Sequence, residues 1–184
     1  EAASRRAGAG VGAVVLNVLA KAEYAVPGGL AVQQKILSLP IRDLAGSDEE
    51  LLERESPGAG LGSGQDPTYL NEARLVREMK TQSPNVDVEV QAVRVGNAAI
   101  VTNTTEYFCE LGLKIKAGSP WPVTMVAELA NGYNGYCATT EAFLGGGYEI
   151  RTARSSYLYP GAGEKIMDES VRALCALAPS PAAP

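Results

Sequence analysis

The chain has 184 residues, 46% hydrophobic and 20% charged, with a formal charge of -5. That length fits one domain with a sizeable core, and the acidic balance, with no basic stripe to neutralise phosphates, argues against a nucleic-acid binder. No apolar run is long enough to span a bilayer, and histidine is absent, which excludes a self-contained Ser-His-Asp, Cys-His or histidine-based zinc site.

The chain opens at Glu1 inside a helical pattern and is expected to be a processed product or a fragment of a longer protein. From Ala2 to Tyr24, the residues Val11, Val14, Val15, Val18 and Leu19 share one helical face. Gly8, Gly10 and Gly12 weaken this helix by about 1 kcal/mol each relative to Ala, but their size would permit close packing against a sheet. Arg5 and Arg6 read as a solvated face. Pro27, Gly28 and Gly29 end the unit, and Leu30 to Leu39 reads as a strand. Ser47 and Glu50 have capping-box spacing for a short helix. Ser56 to Gly64 reads as a flexible loop, since the Gly-Lys-Ser/Thr ending of a phosphate-binding loop is missing. Asp66 and Pro67 start a helix to about Gln82, with Leu70, Ala73, Leu75, Val76 and Met79 inward. Val86, Val88, Val90 and Ala92 alternate with polar residues as a half-buried strand. Gly96 and Asn97 make a two-residue hairpin connection, from which Ala98 to Val101 returns antiparallel.

Thr104 or Thr105 can cap a helix from about Glu106 to Lys116. Glu106 would then sit in its first turn, where the helix dipole favours a carboxylate. Val123 to Leu129 reads as a buried strand. It leads into Asn131 to Gly135, a loop tolerant of positive φ from which Tyr133 and Tyr136 project. Thr139, Thr140 and Glu141 cap a short helix that Gly145 to Gly147 would end. The last helix runs from about Gly163 to Leu177, with Ile166, Val171, Leu174 and Leu177 toward the core, before a frayed tail from Pro179 to Pro184. The alternation predicts an α/β or α+β fold: one domain over residues 1–178, a mixed sheet with an antiparallel hairpin, covered by helices. Cys109, Cys137 and Cys175 form no metal pattern and read as buried free thiols. A cysteine-dependent hydrolase at Cys109 or Cys137 would lack its usual base. The polar residues around Glu106 and Tyr136 follow apolar strands, where α/β folds place their sites.

Four stretches then carry a resemblance: residues 91–96, Thr105 to Phe108, Asn131 to Tyr136, and Thr139 to Phe143 with Tyr148 and Glu149. In that order they resemble the latter part of the catalytic domain of neutral/alkaline ceramidases, and the likeness covers about Val88 to Leu177. It implies the C-terminal portion of a zinc amidase that cleaves the N-acyl bond of ceramide-like lipid amides. The family holds zinc with two histidines, a glutamate and a tyrosine. Glu106 matches the glutamate, and Tyr136, the second tyrosine of an Asn-x-Tyr-x-x-Tyr motif, matches the tyrosine. Asn131 and Tyr133 match the same loop as substrate-binding residues. Thr105 stands where the family has glycine. The histidines belong to an earlier segment, so the resemblance implies a histidine-bearing N-terminal portion or partner chain, and it is compatible with an extracellular or periplasmic setting. Zinc would activate a water and polarise the carbonyl, while Tyr136 would bind zinc or steady the oxyanion. The lack of histidine and the threonine at position 105 favour an alternative, a non-catalytic relative acting as an interaction or structural domain.

Overall fold

The structure, a computed structural model, describes residues 1–24, 28–44 and 67–178. The expectations at Pro27, Ser47 to Glu50, Ser56 to Gly64, Asp66 and Pro179 to Pro184 lie outside the described residues. The elements in chain order are α1 (Ala2–Lys21), β1 (Leu30–Pro40), α2 (Pro67–Gln82), β2 (Asn85–Val95), β3 (Ala98–Asn103) and β4 (Glu106–Tyr107). There follow α3 (Cys109–Gly118), β5 (Val123–Ala127), β6 (Tyr136–Cys137), α4 (Ala142–Gly145) and α5 (Ala162–Ala176).

The main sheet has the order β1-β2-β3-β5. β1, β2 and β3 form an antiparallel meander, and β3 pairs with β5 in parallel. A parallel pair needs a crossover, and α3 supplies it. Gly96, at φ 60, makes the β2–β3 turn that joins Val95 to its partner Ala98. The fold is therefore the predicted mix of helices with a mixed sheet. Period-two alternation puts Val88, Val90, Ala92, Ala99 and Val101 on one face, fully buried. Leu111 and Ile115 of α3 and Ile166 and Leu174 of α5 complete that core. α5 approaches α3 closely because position 163 is glycine: a Cβ there would lie 2.5 Å from Leu111 Cδ1 and 2.8 Å from the Ala138 carbonyl oxygen. The Trp121 indole N–H donates to the Leu174 carbonyl at 2.9 Å and ties β5's approach to α5.

Several sequence expectations change. α1 forms, but none of its residues is buried, and its glycines have open space around them. β5 is an edge strand, with Val123 and Met125 exposed rather than buried, because they point to the sheet face away from the core helices. Cys109 and Cys175 are exposed, and only Cys137 is a buried thiol. Glu106 lies in a strand, not a helical first turn, and α3 starts at Cys109 with no side-chain cap from Phe108. The cause is local. The Asn103 side-chain oxygen accepts from the Thr105 N–H at 3.0 Å and from its hydroxyl at 2.7 Å, and the Thr104 hydroxyl is bonded to the Asn134 side-chain oxygen. Both threonine hydroxyls are thus spent on asparagines instead of helix amides.

Candidate carboxylate and tyrosine site

The site grows from the end of β3. The segment 103–105 is held by the loop that follows β5: the N–H groups of Leu129, Ala130 and Asn134 donate to the carbonyls of Thr105, Asn103 and Thr104 at 3.2, 3.0 and 2.7 Å. That loop adopts positive φ at Leu129, Asn131 and Gly135, at 51°, 66° and 70°. Gly135 is required on two counts. Its φ is left-handed, and a Cβ there would meet the Ser155 carbonyl oxygen at 2.3 Å. The Tyr136 N–H donates to that same oxygen at 2.7 Å.

β4 and β6 then pair in parallel, with Glu106 opposite Tyr136 and Tyr107 opposite Cys137. Alternation sends the second pair inward, where both are buried. The Tyr107 hydroxyl donates to the Gly163 carbonyl at 2.7 Å, and burial holds its phenol far above the usual tyrosine range. Burial also pushes the Cys137 thiol up to about 12. The first pair faces outward. The Tyr133 hydroxyl donates to Glu106 Oε1 at 3.2 Å. Both outward phenols are raised: that of Tyr136 first by hydrogen bonding to the Glu106 carboxylate, that of Tyr133 first by desolvation and then by the same carboxylate. The Tyr133 phenol is thus bonded to the Glu106 carboxylate, and Tyr136 stands opposite Glu106 in the β4–β6 pair. The Tyr148 ring stands edge-on to Tyr136, with centroids 5.9 Å apart.

Tyr133 and Tyr148 also line an adjoining cleft of about 430 Å³, together with Glu72, Arg151, Arg154 and Ser155. Arg154 grips both Glu72 oxygens, at 2.7 and 3.1 Å, and holds that carboxyl below its ordinary range. The structure thus brings Glu106, Tyr133 and Tyr136 together. Asn131 is placed in the same loop, but its amide donates to Glu89 at 2.6 Å rather than to Glu106. Sequence reading gave no role to the cleft residues Glu72, Arg151 and Arg154; residues 72 and 154 lie on distant elements and share no motif. Tyr148 was within the resemblance but carried no assigned part.

The donor set can be weighed against zinc. Glu106 and Tyr136 offer oxygen donors, whereas zinc takes four ligands with histidine or cysteine prominent. Among the described residues no group of three or more His, Cys, Asp or Glu could hold a metal. The described residues of this chain alone do not fit the ion. No helix among the described residues is long and apolar enough to cross a membrane.

No family model matches the sequence, and no curated protein matches it. Among solved structures, the chain is similar to a ceramidase complexed with C2, at 15% identity and TM-score 0.49 over 85% of this chain and 32% of that one. It is also similar to the neutral ceramidase from Pseudomonas aeruginosa, at 16% identity and TM-score 0.47 over 85% of this chain and 30% of that one. The chain spans about a third of the length of each.

Proposed function

We propose that the chain carries the carboxylate and phenol part of an amide-hydrolase site of the neutral-ceramidase kind, acting on the N-acyl bond of ceramide-like amides. The observation that carries this reading is the grouping of Glu106 with Tyr133, which donates to it at 3.2 Å, and with Tyr136, its partner across the β4–β6 pair. Those are residues that the sequence resemblance assigns to the metal and the substrate. In this reading Glu106 and Tyr136 are two zinc ligands, and the nitrogen ligands come from a histidine-bearing portion of the same protein or from a partner chain. Because the donors here are incomplete for zinc, the chain's own chemistry is limited to what its residues do. Where Tyr136 is not a ligand, its phenolic O–H can donate to an oxygen that gains negative charge as an amide carbonyl is attacked. Tyr133 sits between Glu106 and the cleft and would contact the substrate. Asn131 would join it by exchanging its bond to Glu89 for one to the substrate.

The test supplies the missing portion. The chain is combined with a histidine-bearing portion, or expressed within the full protein, and zinc content and fatty-acid release from an N-acyl amide are measured. Hydrolysis that needs zinc and falls at least tenfold in Glu106→Gln and in Tyr136→Phe supports the reading. A reconstituted protein that takes up no zinc, or whose hydrolysis ignores both substitutions, sinks it. The absence of histidine and the exposed apolar face of the main sheet favour a second reading, a non-catalytic docking domain, which predicts that second outcome.

A further inference from the structure

Glu106 lies between two planar peptide units, and the direction of its side chain follows from how both are held. The unit before it carries the Glu106 N–H, which donates to the Gly135 carbonyl at 2.9 Å. The unit after it carries the Tyr107 N–H. Strand amides alternate between edges, so this one points away from β6, and the Phe108 N–H returns to the β6 side and donates to the Cys137 carbonyl at 3.2 Å. β4 has only two residues, and among the described residues no strand runs along its outer edge.

The end of β5 closes that edge in an unusual way. The Leu129 N–H donates to the Thr105 carbonyl at 3.2 Å, which is the first bond of a parallel pair. The second bond of such a pair would run from the Tyr107 N–H to the Leu129 carbonyl. Instead Leu129 is left-handed, at φ 51, and the Tyr107 N–H donates to Glu128 Oε2 at 2.5 Å. A carboxylate accepts a backbone N–H more strongly than a carbonyl does. The left-handed backbone is uncommon for leucine, and burial of the Leu129 side chain does not explain it, because that residue is 46% exposed. Glu128 is also the one charged residue in the stretch 123–129.

We propose that Glu128 is a positioning residue for Glu106. Its carboxylate fixes the peptide unit that follows Glu106, as the Gly135 carbonyl fixes the one before. The two acceptors together set φ and ψ of Glu106, and with them the line of its Cα–Cβ bond. That line carries the Glu106 carboxylate to the Tyr133 hydroxyl and keeps it opposite Tyr136. Glu128 touches neither phenol in this arrangement; it acts through the backbone of β4. What matters is an acceptor oxygen at the right reach, held by the left-handed turn at Leu129. Turnover is the only part of this that rests on the hydrolase reading; the aim of Glu106 belongs to the chain by itself.

Three substitutions separate reach from charge. Glu128→Ala removes the acceptor, Glu128→Asp keeps the charge but shortens the reach by one methylene, and Glu128→Gln keeps the reach and an acceptor oxygen without the charge. NMR of the 184-residue chain reads hydrogen exchange at the Tyr107 amide and the Hα–Hβ couplings of Glu106, with far-UV circular dichroism and the β2 and β3 amides as folding controls. In Glu128→Ala and Glu128→Asp the Tyr107 amide should exchange about tenfold faster or more, and the Glu106 couplings should move to rotamer-averaged values while the controls hold. Glu128→Gln should recover both. In the chain combined with its histidine-bearing portion, kcat on an N-acyl amide should fall about tenfold or more in the Ala and Asp variants, with KM little changed, and Gln should restore most of it. A Tyr107 amide equally protected in Glu128→Ala, Glu106 couplings that ignore its loss, or a series in which Asp preserves the behaviour and Gln does not would overturn the assignment. If Glu128→Ala does not fold, the contrast between Asp and Gln still decides it. A combined wild-type protein that hydrolyses nothing would remove the hydrolase reading, and the exchange and coupling measurements would then judge Glu128 on their own.

Discussion

Glu106 and Tyr136 are direct partners across a two-residue parallel ladder, although thirty positions separate them in the chain. The pairing is held from behind by the Glu106 N–H donating to the Gly135 carbonyl at 2.9 Å and by the buried Tyr107 and Cys137 beneath it. The carboxylate and the phenol are thus positioned by backbone, which is more exact than placement by two flexible side chains.

The first prediction concerns titration. Hydrogen bonding to Glu106 is the leading reason that the Tyr136 phenol is raised. Glu106→Gln removes the negative charge, so Tyr136 should ionise closer to the ordinary tyrosine value of about 10. Tyr133 should follow to a smaller degree, because desolvation leads its shift. The sign for stability follows from the raised folded-state values. The phenol–carboxylate bonds contribute fully below the ordinary tyrosine value and are lost as pH climbs through the folded one. Tyrosinate absorbance, or NMR of ring-labelled tyrosine, reads this directly. An unchanged Tyr136 titration in Glu106→Gln would contradict the assigned contact.

The second prediction separates two glycines. Gly135→Ala must place a Cβ at 2.3 Å from the Ser155 carbonyl oxygen on a left-handed backbone. It should cost about 2–4 kcal/mol and loosen β6. Gly112→Ala sits inside α3 with nothing within 4 Å of the added carbon, and it should stabilise by about 0.5–1 kcal/mol. Denaturant midpoints for the two variants should move in opposite directions.

The sequence made the sheet and its helices legible where periodicity was strong. The alternation from Val86 to Ala92, the Gly96-Asn97 turn and the helix of Ile166 and Leu174 all stand as read. It misplaced Glu106 because a threonine before a carboxylate is also a helix-start signal, and only the asparagines at positions 103 and 134 divert those hydroxyls. It misjudged β5 because an apolar run reads as buried unless one knows that a sheet face is bare. The grouping of Glu106, Tyr133 and Tyr136 is implied only by the family resemblance, whereas the Glu72–Arg154 pair joins elements that no local pattern connects.

The third prediction uses Tyr107. Its hydroxyl is buried and donates to the Gly163 carbonyl, and burial raises its phenol. Tyr107→Phe leaves that carbonyl without its partner and should cost about 1–2 kcal/mol at neutral pH. In the wild type, native Tyr107 stays protonated where an unfolded tyrosine ionises. Wild-type stability should therefore fall as pH rises above about 10, and the fall should be shallower in Tyr107→Phe. Urea unfolding at neutral and alkaline pH measures both.

The fourth prediction follows the thiols. Cys109 and Cys175 are exposed, while Cys137 is 2% exposed and its thiol is pushed up to about 12 by burial. Alkylation requires both access and thiolate, and Cys137 lacks each. Two thiols should react quickly with a disulfide reagent in the native chain, and the third only at the rate at which the β4–β6 region opens. Because Gly135 adjoins β6, Gly135→Ala should accelerate the slow thiol, in proportion to the stability it removes from that region, and leave the two fast ones unchanged. Gly112→Ala should not accelerate it. Three fast thiols in the wild type would mean that Tyr107 and Cys137 do not form the floor beneath Glu106 and Tyr136. The outward pair would then have lost the support that positions it.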